Sequence, residues 1–164
     1  MLEEQLLDPQ RHDRNDFSCG IAALDIYLQR HAAQQQRAGI STTYVLVDSD
    51  QPATILGYYT LSAAEVEREQ LATEQQGKLP RHPIPCFRMG RLACRQNQQG
   101  KELGRLLLGL VVSRCQMART HVAAWALIVD AKDQHAADFY RHYGFKDFAD
   151  KKLCLYLPLG TPAR

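Results

Sequence analysis

The sequence predicts an α/β fold: a central mixed, mostly antiparallel sheet with helices on both faces. Three observations lead there. Strand-like and helix-like runs alternate in the order strand, helix, hairpin, strand, helix, strand, helix, two strands. The run from Ala123 to Asp130, A-A-W-A-L-I-V-D, is almost unbroken in apolar residues, as in a strand covered on both faces. A short apolar segment, Leu92-Ala93-Cys94, enters a Gln- and Gly-bearing turn from which a helix departs.

Taken in order, residues 1–8 read as a short first strand and residues 12–17 as a polar approach to a turn or helix cap at Ser18-Cys19-Gly20. A helix is expected over 21–37, where Tyr27 and Leu28 recur at helical spacing with Ala23 or Leu24 and with His31 or Ala32; Gly39 marks its stop. Residues 42–48 and 54–64 are rich in Tyr, Thr, Val and Ile, the residues that suit a pleated surface, and Ser49-Asp50-Gln51-Pro52 joins them as a hairpin turn. Residues 65–78 are charged and Gln-rich, a short helix or a mobile excursion, and Pro80, Pro83 and Pro85 break the approach that follows. A fourth strand over 86–94 leads through the turn into a helix reaching about residue 120, with Leu103, Leu106, Leu107 and Leu110 on its apolar face. After the buried strand come a helix over 133–143, stopped by Gly144, and two last strands at 145–148 and 152–159. No repeat, low-complexity tract or linker interrupts the chain, so a single domain over 1–164 is expected.

Hydrophobic content of 45% with 23% charged residues is that of a soluble globular protein. No apolar run approaches the roughly 18 residues of a membrane span, and the acidic N-terminus lacks a signal-peptide core, so no membrane partner is expected. The five Cys are odd in number and form no C-x-x-C pair, which argues against a zinc knuckle, another metal site or a disulfide framework and fits a reducing cytoplasm. The net charge of +2 hides an asymmetry. Lys78 to Arg119 holds nine cations against one anion, Glu102. A pyrophosphate needs two or three of them; the surplus, with Arg81, Arg88, Arg91 and Arg95 together, points to nucleic acid as a second polyanion.

The turn after Cys94 is where an anion belongs. The first-turn N–H groups of a helix have no intrahelical partner, and the helix dipole adds about half a positive charge there. Lys101 and Arg105 bring two full cations to the same place. Neither the G-x-x-x-x-G-K-[ST] loop of nucleotide hydrolases nor the G-x-G-x-x-G dinucleotide fingerprint is present. The hexad that is present, Gln99-Gly100-Lys101-Glu102-Leu103-Gly104, resembles the Q/R-x-x-G-x-G/A signature of the GNAT N-acetyltransferases, with Glu102 where the family has its central Gly. A second segment, Ala136 to Phe145, resembles that family's A-x-x-F-Y-x-x-x-G-F motif.

The resemblance implies the GNAT acyl-CoA N-acyltransferase fold and acetyl-CoA as acyl donor. It implies that the backbone of Leu92, Ala93 and Cys94 receives the pantetheine arm and that the amides around Gln99, Gly100, Lys101, Glu102, Leu103, Gly104 and Arg105 receive the pyrophosphate. It also places Phe139 beside the cofactor and makes Tyr140 the general acid that protonates the departing thiolate. A Cys94 acyl-enzyme is disfavoured, because no His lies near Cys94 in sequence and the family attacks directly.

Further segments resemble the toxin branch of this family, of the TacT and AtaT type. They are Phe17-Ser18-Cys19-Gly20 with Leu24-Asp25 and Tyr27-Leu28, Gly57 to Ser62, Leu79 to Pro85, Gly90-Arg91-Leu92-Ala93, and Val129-Asp130-Ala131-Lys132. That likeness implies an aminoacyl-tRNA substrate acetylated on its α-amino group, a block on translation, a ribbon-helix-helix antitoxin partner and, in common with the group, a homodimer.

Elementary acid–base chemistry agrees with such an acceptor. A Lys amine, with a pKa of about 10.4, needs a base to strip its proton, whereas an α-amino group titrates near ~7.7–8.0. Glu65, Glu67, His82 and His142 are candidate bases, and none has a partner evident in sequence. The alternatives are a housekeeping GNAT enzyme acting on a small amine or a protein N-terminus, and a non-catalytic acyl-CoA-binding module working with a DNA-binding partner.

Overall fold

The computed structural model of the chain describes residues 1–100 and 102–160. Seven strands, β1 (Leu2–Leu6), β2 (Thr42–Asp48), β3 (Gly57–Val66), β4 (Ile84–Cys94), β5 (Ala126–Asp130), β6 (Lys146–Asp147) and β7 (Cys154–Pro158), stand in one sheet in the order β1-β2-β3-β4-β5-β7-β6. The pairs β1·β2, β2·β3, β5·β7 and β6·β7 are antiparallel, and β4·β5 is parallel. The helices are α1 (Ala22–Ile26), α2 (Ala32–Arg37), α3 (Thr73–Gln76), α4 (Leu103–Ala118) and α5 (Gln134–His142). By packing, the chain divides into two compact units, Met1–Ser62 with Arg91–Val111, and Ala63–Gly90 with the residues from Val112 on.

In the first unit, strand periodicity decides which helix covers which face. Tyr58 pairs with Val45 and Gly57 with Leu46, and cross-strand partners share a face. Val45, Val47 and Tyr58 pack against Tyr27, Leu28 and Ala32 in one core. Gly57 points the other way, where a Cβ would lie 2.8 Å from Leu107 Cδ1 of α4. Helices therefore lie on both faces, as the sequence predicts.

The helix expected over 21–37 is not uniform. Between α1 and α2, Tyr27–His31 form a π-helical turn. The buried residues there are Tyr27, Leu28, Ala32 and Ala33. In an α-helix, positions i and i+5 diverge by about 140° at 3.6 residues per turn. Wider winding, with i→i+5 bonds, brings both pairs onto the core face.

Helix α4 departs from expectation in its apolar face. Leu103, Leu107, Leu108 and Val111 are buried, whereas Leu106 is exposed. The stripe runs along i, i+4, i+8, which places Leu106 on its solvent flank.

In the second unit, Ala126, Leu127, Ile128 and Val129 of β5 are all fully buried, as the unbroken apolar run implies. The strand begins three residues later than expected. Trp125 N–H donates to the Pro85 carbonyl at 2.8 Å, just before the ladder starts. Residues 65–78 resolve into a 3₁₀ turn at Arg68–Gln70 and the short α3. Glu67 and Gln70 form a capping box, Leu71 is fully buried, and Ala72 N–H donates to the Tyr156 hydroxyl at 3.1 Å. Buried Arg119 closes this unit, donating to the carbonyls of Ala124, Leu159 and Gly160 at 2.6–2.9 Å.

Candidate active site

The parallel ladder joins Cys86–Met89 to Ala126–Val129, so β4 runs five residues beyond it, Gly90 to Cys94. Leu92, Ala93 and Cys94 lie in that extension, on the line that leads into the turn. A Cβ on Gly57 would stand 3.0 Å from the Ala93 carbonyl oxygen and 3.7 Å from Cys94 Cα. The extension is thus seated against a position where only hydrogen fits.

Beyond Cys94, the chain makes a 3₁₀ turn at Gln96–Gln98 and two left-handed residues before α4, Gly100 (φ +85°) and Glu102 (φ +63°). A left-handed φ costs a residue with a side chain roughly 1–2 kcal/mol, which gives a physical reason for the family's Gly at the Glu102 position. Among the described residues the first bond into α4 runs from Leu106 N–H to the Glu102 carbonyl at 3.1 Å, which puts Leu103, Gly104 and Arg105 in the helix's N-terminal turn, where amides lack i−4 partners within the helix. Arg105 and Glu102 are both exposed and stand 3.9 Å apart. Lys101, expected at this turn, lies outside the described residues.

The side-chain amide of Gln99 is engaged by the chain itself. Its amide donates to the carbonyls of Cys19 (2.8 Å) and Cys94 (3.2 Å). What Gln99 would offer an anion is therefore not that amide.

Tyr140 sits on α5, whose N-cap, Asp133, accepts from Ala136 N–H at 2.8 Å. Its ring is buried between Phe139 (5.4 Å) and Phe145 (5.5 Å). The G-F half of the motif has a mechanical role. Gly144 adopts φ +95°, which lets Phe145 N–H turn back to the Tyr140 carbonyl at 3.2 Å. Arg141 then ties α5 to β6 through Asp147, bonded at 2.7 and 2.9 Å. The Arg141 hydrogen bonds hold the Asp147 carboxyl below its ordinary range.

The four arginines expected to meet RNA separate into two groups. Arg88 forms a two-oxygen pair with Asp130 at 2.8 and 2.9 Å. Arg95 is held by the Ile55 carbonyl (2.8 Å), the Asp16 carbonyl (2.9 Å) and the Asp16 carboxylate (3.3 Å). By contrast, Arg91 places its guanidinium carbon over the Tyr27 ring, 3.4 Å from the centroid, with no ion pair among the described residues. Arg81 is exposed. The stacking partner Tyr27 was legible only as a helix residue, because the contact joins β4 to the π turn across some sixty positions.

The remaining nucleophiles and bases are quickly placed. Burial pushes the thiols of Cys86 and Cys154 up to about 11 and that of Cys115 up to about 12, so none is a thiolate near neutral pH. Glu65, Glu67, His82 and His142 are all exposed. Among the described residues, no group of three or more His, Cys, Asp or Glu is assembled that could hold a metal ion. No described helix is long and apolar enough to cross a membrane.

The family described as "Acetyltransferase (GNAT) domain" matches residues 18–153, more than four-fifths of the chain. The chain belongs to the GNAT acetyltransferases. This GNAT protein is 29% identical over 134 residues to the tRNA-acetylating toxin of Mycobacterium tuberculosis, covering 82% of this chain and 78% of that one. It superposes on AtaT complexed with acetyl-methionyl-tRNAfMet with a TM-score of 0.89, at 30% identity, over 96% of this chain and 95% of the other. A Tyr-to-Phe variant of the AtaT toxin, bound to acetyl-CoA and the C-terminus of the antitoxin AtaR, superposes with a TM-score of 0.82, at 27% identity, over 96% and 93%.

Proposed function

We propose that this GNAT enzyme, acting as one domain in the cytoplasm, acetylates the free α-amino group of aminoacyl-tRNA from acetyl-CoA and so blocks translation. It would be the toxin of a pair whose antitoxin is a small ribbon-helix-helix protein. The observation that carries this reading is the likeness, along nearly the whole chain, to a toxin solved with its acetylated charged tRNA.

Acetyl-CoA supplies a thioester. The amides of Leu103, Gly104 and Arg105 would hold its pyrophosphate at the end of α4, and the backbone of Leu92, Ala93 and Cys94 would receive its arm. The donor set fits: the N-terminal amides of α4, the Arg105 cation and, among the described residues, no buried carboxylate at the turn. The amine nitrogen forms its bond to the acetyl carbon as the carbon–sulfur bond breaks. Tyr140 donates its phenolic proton to the departing sulfur, the proton released by the amine passes to water, and the Tyr140 phenolate regains a proton from water. Phe139, flanking Tyr140, would keep the thioester side apolar. An α-amino acceptor, partly neutral near pH 7, needs no protein base. That suits a chain whose candidate bases, Glu65, Glu67, His82 and His142, are all at the surface.

Purified protein with acetyl-CoA and mixed charged tRNA should yield N-acetyl-aminoacyl-tRNA. If every isoacceptor stays unmodified while a small amine or a protein N-terminus is acetylated, the housekeeping reading replaces this one.

Of the four arginines, Arg91 is the pre-set RNA fork, because a guanidinium stacked on an aromatic ring keeps its N–H edge for an anion at reduced entropic cost. Arg91→Ala should raise the KM for tRNA several-fold and lower the salt slope of tRNA binding by about one unit, with acetyl-CoA binding unchanged. Loss of acetyl-CoA affinity alone would assign Arg91 to the cofactor.

Glu102 sets a second expectation. Removing its carboxylate from the helix N-terminus with Glu102→Gln should tighten CoA binding about two- to fivefold, the equivalent of 0.3–1 kcal/mol for a charge at a helix end. Glu102→Gly should do the same and also add about 1 kcal/mol of stability by relieving the left-handed φ. Weaker CoA binding in both variants would show that the carboxylate helps the turn.

A further inference from the structure

The toxin-like opening, Phe17-Ser18-Cys19-Gly20 with Leu24-Asp25, has no part in the chemistry just described. We propose that this segment is a strap that positions the phosphate turn from behind, with Gln99, Arg95 and Asp25 as its positioning residues. The proposal rests on the reading that the turn holds the CoA pyrophosphate.

Two hydrogen bonds join strap and turn, and Arg95 adds two contacts to Asp16 just before the strap, all within the first compact unit. Arg95 Nη1 donates to the Asp16 carbonyl at 2.9 Å, Gln96 N–H to the Ser18 carbonyl at 2.8 Å, and Gln99 Nε2 to the Cys19 carbonyl at 2.8 Å. The Arg95 guanidinium also meets the Asp16 carboxylate at 3.3 Å. A Cβ on Gly20, whose φ is +90°, would lie 3.5 Å from the side-chain nitrogen of Gln96. The strap is in turn pinned to α1, since Cys19 N–H donates to Asp25 Oδ1 at 2.9 Å. Phe17, fully buried and edge-on to Tyr58 at 5.6 Å, anchors the other end in the core.

The peptide units of Cys19 thus stand between two side chains: Asp25 takes the N–H and Gln99 supplies a donor to the carbonyl. Through this relay, the residue that opens the GNAT hexad acts on the loop of the toxin-like motif. The same α1 leads into the π turn that carries Tyr27 beneath Arg91. A turn that must present several amides to one anion gains affinity from being held in place before the ligand arrives. Cutting the strap should therefore weaken CoA binding while leaving the chemistry of a bound molecule alone.

The test is calorimetric titration of the full-length protein with CoA, paired with steady-state kinetics. Gln99→Leu removes both bonds made by an exposed side chain, and CoA affinity should fall about five- to tenfold, as for the loss of one or two net hydrogen bonds. The KM for acetyl-CoA should rise in step, with kcat and the acceptor KM within twofold of wild type. Asp25→Ala should give the same pattern, and Asp25→Asn, which keeps an acceptor oxygen, should restore it. Because both residues act through Cys19, the double variant Gln99→Leu/Asp25→Ala should bind CoA only slightly more weakly than either single one. Wild-type affinity in Gln99→Leu, or effects of the two substitutions that simply multiply, overturns the strap. A wild-type protein that itself fails to bind CoA removes the reading of the turn, and the strap with it.

Discussion

Tyr140→Phe is expected to lower kcat about 100-fold with CoA binding unchanged, the order of loss typical when a positioned general acid is removed. The substitution keeps the aromatic ring, so the contacts with Phe139 and Phe145 survive, as do the backbone bonds that fold Phe145 back on the Tyr140 carbonyl. The hydroxyl, with its proton, is what the substitution removes. Without it, the thiolate leaves against solvent alone, and the barrier rises by about 2.7 kcal/mol for a hundredfold loss. The comparison that isolates the effect is single-turnover acetylation at saturating acetyl-CoA, with CoA titrated separately. A variant that turns over at the wild-type rate would strip Tyr140 of its role; a hundredfold loss with CoA still bound would exclude the non-catalytic, acyl-CoA-binding reading.

The second large effect is expected at Gly57. A methyl there would meet Leu107 Cδ1 at 2.8 Å and the Ala93 carbonyl at 3.0 Å. Leu107 is fully buried and has little room to retreat, and the carbonyl is backbone. Gly57→Ala should cost about 1–2 kcal/mol and Gly57→Val about 3 kcal/mol, within the range for overpacking a tight interior. Equilibrium urea unfolding measures both. The functional consequence follows from where the strain is relieved. Moving Ala93 and Cys94 displaces the β4 extension that would receive the pantetheine arm, so the KM for acetyl-CoA should climb along the Ala, Val series. Two variants as stable as wild type would mean that β3 and β4 part more easily than their packing implies.

The two motifs that name the family are local, and for that reason they were legible. The hexad needs only a strand end, a turn and a helix start, and the A-x-x-F-Y-x-x-x-G-F segment needs one helix and a left-handed stop. Both are contiguous, and the left-handed φ at Glu102, Gly100 and Gly144 is a property of the chain within a few residues. The buried strand β5 was equally plain, since apolar residues on both faces leave no alternation to misread. Periodicity was less reliable where packing chose among near-equivalent faces. Leu106 and Leu108 are adjacent in angle to the same stripe, and only contact with the sheet decides that Leu108 is in and Leu106 is out. The π turn is a similar case: the burial of Tyr27, Leu28, Ala32 and Ala33 dictates it, and no local propensity announces it.

By itself, the sequence determined the alternation of elements, the turn between β4 and α4, the tyrosine on its helix and the excess of cations between Lys78 and Arg119. These follow from residue type and spacing over short stretches, where the backbone has few choices. Only the tertiary structure decided which charges are spoken for. Arg88 finds Asp130 forty-two positions away, Arg95 finds Asp16 seventy-nine away, and Gln99 finds the Cys19 carbonyl eighty away. A charge or amide is free or occupied according to what the fold brings within about 3 Å of it, and that proximity is set by the packing of distant elements, to which local spacing is blind.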